Sequence, residues 1–329
     1  MSIEPIHIAV MGCANIAKRS VIPAILRLPN QFRLTAVASR NPEKANSFAT
    51  EFGCEAILGY GSLIARDDIN AIYVPLPTGL HFEWVMKAID RGKHVYVEKS
   101  FAMSESETIA LLELSEKRQV AVFEGYMFLY HRQLKTITTL LRDGVIGDLR
   151  YIHSCFGFPP LRSHDFRYDA LIGGGVLMDA AGYPTRLIRH LLGPSAKLRA
   201  ATLFKSETGS SIRGSAFYSL GNEISATSVF GFDQQYQCSV EILGSKGRVR
   251  ADRVFTARPD HEARIWVECG SDSQVLNEPR DDHFVNAMLA FSQFINMPET
   301  RSIERENIMR QAMDLAMIER LSIARTYLE

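Results

Sequence analysis

The sequence has no excess of charge of either sign and no long apolar run. Lys and Arg together number 37, as do Asp and Glu, so the 329-residue chain carries no net charge at pH 7. This gives no electrostatic basis for nucleic-acid binding, because phosphate contacts dominate that affinity. No stretch reaches the roughly 18 apolar residues of a membrane-spanning helix. The first residues, MSIEPIHIAVMG, also lack the basic start of a signal peptide. We therefore expect neither a nucleic-acid nor a membrane partner.

Cysteine is scarce and follows no pattern. The five cysteines are odd in number, widely separated and without metal-ligand spacing. This favours reduced thiols in a cytoplasmic protein and no metal site. They are Cys13, Cys54, Cys155, Cys238 and Cys269.

Two patterns of secondary structure divide the chain. Up to residue 126, five apolar strand patterns alternate with helical ones, which predicts an α/β domain with a doubly wound parallel sheet. Residues 196–270 then give strands without helices between them, which predicts an antiparallel sheet. Helical patterns follow at 282–296 and 303–328. We predict two domains, 1–126 and 127–329, the second being α+β with a large, mostly antiparallel sheet.

A relaxed dinucleotide-binding motif, G-x-A-x-x-A, follows the first strand pattern. Gly12 allows a tight turn, Ala14 lets the main chain approach a pyrophosphate, and Ala17 permits close packing of helix on strand. The phosphates would lie at the helix N-terminus. Taken alone, the motif also fits an ordinary tight turn. The predicted cofactor contacts of this turn are Gly12, Cys13, Ala14, Asn15 and Ile16.

The end of the second strand pattern predicts which cofactor binds. The segment Ser39-Arg40-Asn41 has no carboxylate for the ribose hydroxyls of NAD. The guanidinium of Arg40 can bind a 2′-phosphate through paired, charge-assisted hydrogen bonds, and Lys44 lies one turn further on. These residues favour NADP (NADPH), although Arg40 could also be a solvated loop residue.

A lysine ends the fourth strand pattern, VYVEKS. Ligands of parallel sheets bind at the carboxyl ends of the strands, where Glu98 and Lys99 stand. A lysine there can polarise an oxygen or transfer a proton, and a structural ion pair is the alternative. The third strand pattern ends in VPLPTGLH. The predicted cofactor contacts of both strand ends are Pro75, Leu76, Pro77, His81, Glu98 and Lys99.

A second pair of candidates lies in LMDAAGYPTR. Asp179 and Tyr183 are four residues apart, so a continuous helix would carry both on one face. Pro184 should weaken the helix just after Tyr183. Packing of the tyrosine in the core is the alternative.

These segments together resemble the Gfo/Idh/MocA family, named after glucose–fructose oxidoreductase, inositol dehydrogenase and rhizopine-catabolism proteins. The glycine turn, the proline segment with His81, GKHVYVEK, FEGYMF and the glycine-rich loop before D-x-x-x-Y follow the family's order along nearly the whole chain. The resemblance implies a Rossmann domain and a second domain whose open sheet face forms a homodimer or homotetramer. It also implies that Lys99 binds and polarises the reacting oxygen. Tyr183 is then the preferred proton donor or acceptor, Lys99 is the second candidate, and Asp179 binds substrate or orients Lys99.

Two positions depart from the family pattern. Ser100 stands where the family has a proline after the lysine. We expect a trans Lys99–Ser100 bond or a local shift, because a non-proline cis bond costs about 2.5–4 kcal/mol. Thr78 replaces the asparagine that is common after the third strand.

The loop FGFPPLRSHDFRYDALIGGG precedes the helix with Asp179. Arginines can bind a diphosphate and aromatic rings can stack on a sugar or base, whereas a solvated loop with internal salt bridges is the alternative. The predicted substrate contacts are Tyr126, Arg162, Asp165, Phe166, Tyr168 and Asp179, with His164 and Arg167 as further candidates.

This arrangement is similar to NDP-sugar 3-ketoreductases and to NADP-dependent xylose and dihydrodiol dehydrogenases. We expect an NADP(H)-dependent oxidoreductase that reduces a nucleotide-linked keto sugar. The alternatives are an NADP-dependent dehydrogenase of a free sugar, polyol or dihydrodiol, and a non-catalytic NADP-sensing regulator. The presence of Lys99, Asp179 and Tyr183 together argues against the regulator.

Overall fold

A computed structural model describes residues 4–162, 165–206 and 209–326. The backbone forms two compact units. The first contains the described residues up to Gly125 together with Phe284–Ala312, and the second contains Tyr126–His283 and the residues from Met313 onward. A single cut at 126/127 therefore does not describe the packing, because residues 284–312 join the first unit. The division into a cofactor domain and a substrate domain stays a prediction.

The first unit contains a six-stranded, doubly wound parallel sheet, which confirms this part of the predicted fold. Its strands are β1 (Ile6–Met11), β2 (Phe32–Ser39), β3 (Glu55–Leu58), β4 (Ala71–Val74), β5 (His94–Val97) and β6 (Val122–Glu124). Their order is β3-β2-β1-β4-β5-β6, with every neighbouring pair parallel. The strand order reverses between β1 and β4, which is where sheets of this type bind ligands.

Helices connect these strands. They are α1 (Ile22–Leu26), preceded by a π-helical turn over Ala17–Val21, then α2 (Pro42–Phe52), α3 (Tyr60–Ile64), α4 (His81–Asp90) and α5 (Glu105–Lys117). The prediction of five strands was wrong, because it missed β3. This is a four-residue edge strand in which Ile57 is buried and Leu58 is 60% exposed. It lacks the apolar run by which the other strands are recognised.

The GKH segment, whose His94 is the first residue of β5, fixes the start of that strand through hydrogen bonds. Lys93 Nζ donates to the carbonyl oxygens of Arg66 and Ile69, at 2.6 and 2.8 Å. His94 Nδ1 accepts the Ala121 N–H at 2.9 Å. Burial lowers the pKa of His94 to about 4, so the ring is neutral and keeps its acceptor nitrogen. This part of the family pattern is therefore structural.

The second unit contains an eight-stranded, mostly antiparallel sheet, as the sequence predicts. Its strands are β7 (Leu149–Gly157), β8 (Lys197–Lys205), β9 (Ser211–Leu220), β10 (Ile224–Gly231), β11 (Gln237–Gly244), β12 (Gly247–Asp252), β13 (Arg264–Cys269) and β14 (Asp272–Asn277). The order is β14-β13-β12-β11-β7-β10-β9-β8, and β7 and β10 form the parallel pair. The remaining helices of the chain are α6 (Arg132–Arg142), α7 (Val176–Asp179), α8 (Gly182–Leu192), α9 (His283–Asn296) and α10 (Arg301–Thr326).

Aromatic packing explains why α9, from Phe284 onward, belongs to the first unit. The ring of Phe291 lies 6.4 Å from Phe32, 5.7 Å from Tyr96 and 5.8 Å from Phe123, centroid to centroid. These three residues come from β2, β5 and β6, so α9 covers the sheet. Within the described ranges, no helix is long and apolar enough to cross a membrane.

Candidate active site

The turn after β1 has the geometry that the sequence predicts. Gly12 has a φ of +117°, and a Cβ at this position would lie 2.8 Å from Leu76 Cδ2. The Gly12 N–H donates to the Ala38 carbonyl at 2.9 Å, and Ala17 behind the turn is fully buried. Only glycine suits this close, left-handed position. The residues after it are half-buried or exposed: Cys13, Ala14, Asn15 and Ile16.

The end of β2 presents two cations. Ser39 is buried, and its Oγ accepts the Asn41 N–H at 3.1 Å. Asn41 Oδ1 accepts the Lys44 N–H at 3.0 Å and so caps α2. The side chains of Arg40 and Lys44 are exposed, and Cys13 Sγ lies 3.6 Å from the Lys44 carbonyl oxygen. This donor set beside the glycine turn fits a 2′-phosphate, whereas a free 2′-hydroxyl would call for a carboxylate.

His81 lies beneath the loops that follow β4 and β5. Its side chain is fully buried, with Nδ1 2.8 Å from the Ser100 carbonyl oxygen and Nε2 2.8 Å from that of Leu76. Burial lowers the pKa of His81, against the opposing effect of the two carbonyls. The prediction that His81 contacts the cofactor is corrected, because the ring exposes no surface and instead links the two loops. Of the other residues predicted here, Pro75 and Leu76 are buried and Pro77 is half-buried.

Glu98 and Lys99 stand at the carboxyl end of β5, as the sequence predicts. Both are half-buried. The Tyr73 hydroxyl donates to Glu98 Oε1 at 2.7 Å. Because Tyr73 lies on β4 and is fully buried, this contact holds the carboxylate against the sheet. The predicted cofactor contact of Glu98 stays a prediction.

The peptide bond after Lys99 is cis, so the expectation of a trans bond was wrong. The main chain that follows makes two polar contacts with buried side chains. The Ser100 carbonyl faces His81, and the Phe101 N–H donates to Glu124 Oε1 at 2.9 Å. Those partners come from α4 and β6, and sequence spacing does not reveal that they meet this segment.

Tyr183, in the second unit, lies within a cluster of aromatic rings. Its centroid lies 5.6 Å from Tyr126, 5.9 Å from Phe128, 4.7 Å from Phe156 and 5.7 Å from Phe255. Aromatic neighbours in edge-on and tilted arrangements hold a ring firmly. The cluster therefore sets the direction of the phenol, which is 7% exposed.

Tyr126 is part of this cluster and exposes no surface. Its ring meets Tyr183 edge-on, at an interplanar angle of 89°. The buried guanidinium of Arg186 lies 5.8 Å from the centre of the same ring. The prediction that Tyr126 contacts the substrate directly is corrected: it supports Tyr183.

Asp179 and Tyr183 do not share a continuous helix, so the prediction of one helix through both residues was wrong. Helix α7 ends at Asp179, and α8 begins only after Ala180 and Ala181. The Tyr183 N–H donates to the Ala180 carbonyl at 3.3 Å. Pro184 is the third residue of α8. The first turn of a helix has no intrahelical N–H bond to lose, so the expected weakening after Tyr183 does not occur.

Arg167 contacts both predicted carboxylates of this unit. Its Nε lies 2.9 Å from Asp179 Oδ2, and its Nη1 lies 3.1 Å from both carboxylate oxygens of Asp165. The guanidinium also lies 4.8 Å from the ring centre of Phe166. Burial alone would lower the pKa of Arg167, but Asp179 and Asp165 reverse this effect and raise it. Arg167, a minor candidate in the sequence, is thus what orients Asp179.

The glycine-rich segment brings Arg167 to Asp179. The Gly175 N–H donates to the Arg167 carbonyl at 2.6 Å, and the Gly174 N–H donates to that of Asp169 at 2.8 Å. A Cβ on Gly174 would lie 2.4 Å from the Asp169 carbonyl oxygen. Gly175 has a φ of +99°. The loop can fold back on itself only because these positions lack side chains.

The other predicted residues of the loop fall into two groups. Tyr168 anchors it: its hydroxyl accepts the Leu161 N–H at 3.0 Å and its carbonyl accepts from Ser210 Oγ at 2.6 Å. The hydroxyl is therefore used within the loop. Arg162 and Phe166 are exposed, and His164 lies outside the described residues.

Two family models match the chain. Residues 6–126 match the Gfo/Idh/MocA oxidoreductase family, NAD-binding Rossmann fold. Residues 134–250 match the Gfo/Idh/MocA C-terminal domain. The matched ranges contain Lys99, Asp179 and Tyr183.

Individual proteins match over almost the whole chain. It is 37% identical over 329 residues to a dTDP-3,4-didehydro-2,6-dideoxy-alpha-D-glucose 3-reductase of Saccharopolyspora spinosa, covering 98% of each chain. It is 30% identical to D-xylose 1-dehydrogenase (NADP(+)) 2 of Haloferax volcanii, covering 90% of this chain and 91% of the other. A solved 3-ketoreductase of Actinomadura kijaniata, in complex with NADP and TDP-benzene, matches with a TM-score of 0.92 at 33% identity, covering 96% of this chain and 98% of that one. These matches confirm the resemblance and the fold.

Proposed function

The chain belongs to the Gfo/Idh/MocA family of oxidoreductases, and from this premise we propose that it is an NADPH-dependent reductase of a nucleotide-linked 3-keto sugar. The observation that carries the proposal is the 37% identity over 329 residues to a dTDP-sugar 3-reductase. The similar 3-ketoreductase solved with NADP and TDP-benzene supports the same cofactor and a thymidine-diphosphate-linked substrate.

The cofactor would bind at the carboxyl edge of the parallel sheet. Gly12 has no side chain, so the pyrophosphate would have room to approach the main chain of the turn. Arg40 and Lys44 would bind the 2′-phosphate. When bound, the nicotinamide supplies the hydride. The half-buried Lys99 and the loop after β4 remain the proposed contacts further along the cofactor.

Lys99 and Tyr183 would carry out the proton and charge chemistry. As a hydride adds to the carbonyl carbon, negative charge develops on its oxygen, and the Lys99 ammonium would stabilise that charge. Tyr183 would give its phenolic proton to the oxygen, and water would later restore it. The carbon thus gains a hydride and the oxygen a proton, which yields the alcohol. Asp179, oriented by Arg167, would accept a hydrogen bond from a substrate hydroxyl.

The loop before α7 is the proposed site for the nucleotide portion. Arg162 is exposed and could bind a diphosphate in a bidentate manner. Phe166 is 45% exposed and could stack on a sugar or base. Both residues are close in sequence to Asp165 and Arg167. The ion pairs of Arg167 with Asp165 and Asp179 hold this loop in shape.

NADP-dependent oxidation of a free sugar is the second candidate, because the chain is also 30% identical to a D-xylose 1-dehydrogenase (NADP(+)). One experiment separates the candidates. NADPH consumption is measured with dTDP-linked 3-keto sugar and, in reverse, NADP⁺ reduction with free D-xylose. We expect turnover of the dTDP-linked sugar. Preference for xylose would favour the second candidate, and tight NADPH binding without consumption by any sugar would favour a regulator.

We also propose a homodimer or homotetramer formed through the open face of the eight-stranded sheet. A row of paired positions crosses that face: Phe217, Thr227, His153, Glu241, Arg250, Trp266 and Val275. Phe217 is 39% and Val275 44% exposed, whereas Ile152 and Ile242 in the next row are fully buried. Sedimentation of Trp266→Glu should show a smaller species than wild type. Leu58→Glu, at an exposed apolar residue of the first unit, is the control that should leave the assembly intact.

A cytoplasmic location belongs to the same proposal. All five cysteines are free thiols, which suits a reducing compartment. Loss of activity on reduction with dithiothreitol would contradict it.

A further inference from the structure

One peptide unit beside Lys99 is held at both of its polar groups. The Ser100 carbonyl oxygen lies 2.8 Å from His81 Nδ1. The N–H of the same peptide unit, that of Phe101, donates to Glu124 Oε1 at 2.9 Å. All four residues are 3% exposed or less. The unit therefore cannot rotate without breaking a buried hydrogen bond.

The imidazole of His81 extends this fixation to the glycine turn. Its second nitrogen lies 2.8 Å from the Leu76 carbonyl oxygen. Leu76 in turn occupies the space where a Cβ on Gly12 would stand, at 2.8 Å. The buried ring of His81 thus connects the loop after β4, in which Leu76 lies beside Gly12, with the loop after β5 that carries Lys99.

Packing alone does not account for these two side chains. Burying a carboxylate or an imidazole is unfavourable unless it forms hydrogen bonds. An apolar side chain would fill the same space but would remove these hydrogen bonds to buried main-chain groups. Their polar atoms meet main-chain groups one and two residues after Lys99, which is where a contact has most effect on its placement.

We propose that His81 and Glu124 are positioning residues that fix Lys99 for the reaction. The inference rests on the proposed role of Lys99 as the group that polarises the substrate oxygen. A displacement of about 1 Å in a reacting group can cost about 100-fold in rate. Loss of either contact should therefore lower kcat, and loss of the Glu124 contact should leave the KM for NADPH nearly unchanged.

The test compares Glu124→Leu, Glu124→Gln and His94→Leu. Glu124→Leu removes the acceptor, and we expect kcat to fall about 10- to 100-fold. Glu124→Gln keeps a carbonyl acceptor of the same shape and should retain most of kcat. His94→Leu is the matched control, because His94 also accepts a main-chain N–H on the same unit but stands at the opposite end of β5 from Lys99. It should lower stability without lowering kcat.

Two outcomes would overturn the proposal. One is an unchanged kcat in Glu124→Leu. The other is an equal fall of kcat in His94→Leu, which would mean a general effect of stability. If Glu124→Leu does not fold, His81→Asn takes its place, since the shorter amide cannot span both carbonyls and kcat should again fall.

Hydrogen exchange separates this proposal from the proposed function. The Phe101 amide should exchange about tenfold faster or more in Glu124→Leu than in wild type and His94→Leu. This readout needs no turnover. If the protein reduces no keto sugar, the proposed function fails while the exchange result still decides whether the contact exists. An unchanged exchange rate of the Phe101 amide in Glu124→Leu would refute the proposed contact, whatever the activity of the variant.

Discussion

The two groups of predicted catalytic residues are held by different kinds of contact. In the first unit, the segment with Lys99 is fixed through main-chain groups, by His81 and Glu124. In the second unit, Asp179 is fixed through the Arg167 side chain, which is 32% exposed. Main-chain hydrogen bonds in a buried region are insensitive to salt, whereas partly exposed ion pairs are screened. The placement of Lys99 should therefore depend less on ionic strength than the placement of Asp179 does.

Tyr183 differs from both, because its ring is enclosed by other aromatic rings. Four aromatic neighbours lie within 6 Å of its centroid. Removal of the hydroxyl alone should therefore leave the packing intact.

Tyr183→Phe should have the largest effect. If the phenol transfers the proton, kcat should fall about 10²- to 10⁴-fold, with NADPH affinity unchanged. The measurement is NADPH consumption at saturating sugar, with Tyr236→Phe as control, since Tyr236 is a partly exposed tyrosine of the same unit that bonds to Thr256. An unchanged kcat in Tyr183→Phe would assign the proton transfer to Lys99 or water.

Two glycine substitutions should separate the two regions by function. Gly12→Ala places a methyl group at a φ of +117° against Leu76, so NADPH affinity should fall by about tenfold or more. Gly174→Ala meets the Asp169 carbonyl, which cannot move aside as a side chain can. It should leave NADPH affinity intact and lower kcat/KM for the nucleotide sugar by a similar factor. NADPH fluorescence titration and steady-state kinetics on both variants check this, and loss of NADPH binding in Gly174→Ala would contradict it.

Sequence reasoning predicted the first region better than the second. The strand ends of the parallel sheet follow from apolar runs and glycine turns, so Gly12, Arg40 and Lys99 could be placed from spacing alone. The contacts of His81 with Ser100 and of Glu124 with Phe101 join elements far apart in sequence. No periodicity in the sequence predicts such contacts.

In the second region, the spacing of Asp179 and Tyr183 was misleading. A helical period assumes a continuous helix, and the break at Ala180 and Ala181 has no glycine or proline of its own to mark it. The importance of Arg167 also depended on the loop's folded shape. The triple glycine was the available signal, because it indicated that the main chain returns close to itself.

Arg167→Met should have a smaller effect than Gly12→Ala or Gly174→Ala. Asp179 would lose its orienting partner, and we expect kcat/KM for the nucleotide sugar to fall about 3- to 10-fold, equivalent to about 1 kcal/mol. Arg213→Met is the control, because Arg213 forms a 2.6 Å ion pair with Asp233 in the same unit that no proposed step uses. Equal losses in both variants would mean that the effect is not specific to Asp179.

Acid should weaken both units to a smaller, measurable extent, and a histidine with a strongly lowered pKa in each unit tests this. Burial lowers the pKa of His94, in the first unit, to about 4 and that of His283, in the second, to about 3. Both folded-state values lie below the unfolded value near 6.5, so the unfolded chain takes up protons first as the pH falls. Stability is thus full above about pH 6.5 and declines below it.

Between pH 7 and pH 5, each histidine should lower the free energy of unfolding by about 1–2 kcal/mol. Urea unfolding of His94→Gln and His283→Gln at both pH values checks this. Each variant is less stable at pH 7 but should lose less on acidification than wild type. We expect the same direction of change in both regions, since desolvation lowers the pKa of both histidines. If only one variant changed the pH dependence, the unit that contains that residue would be the one that limits acid stability.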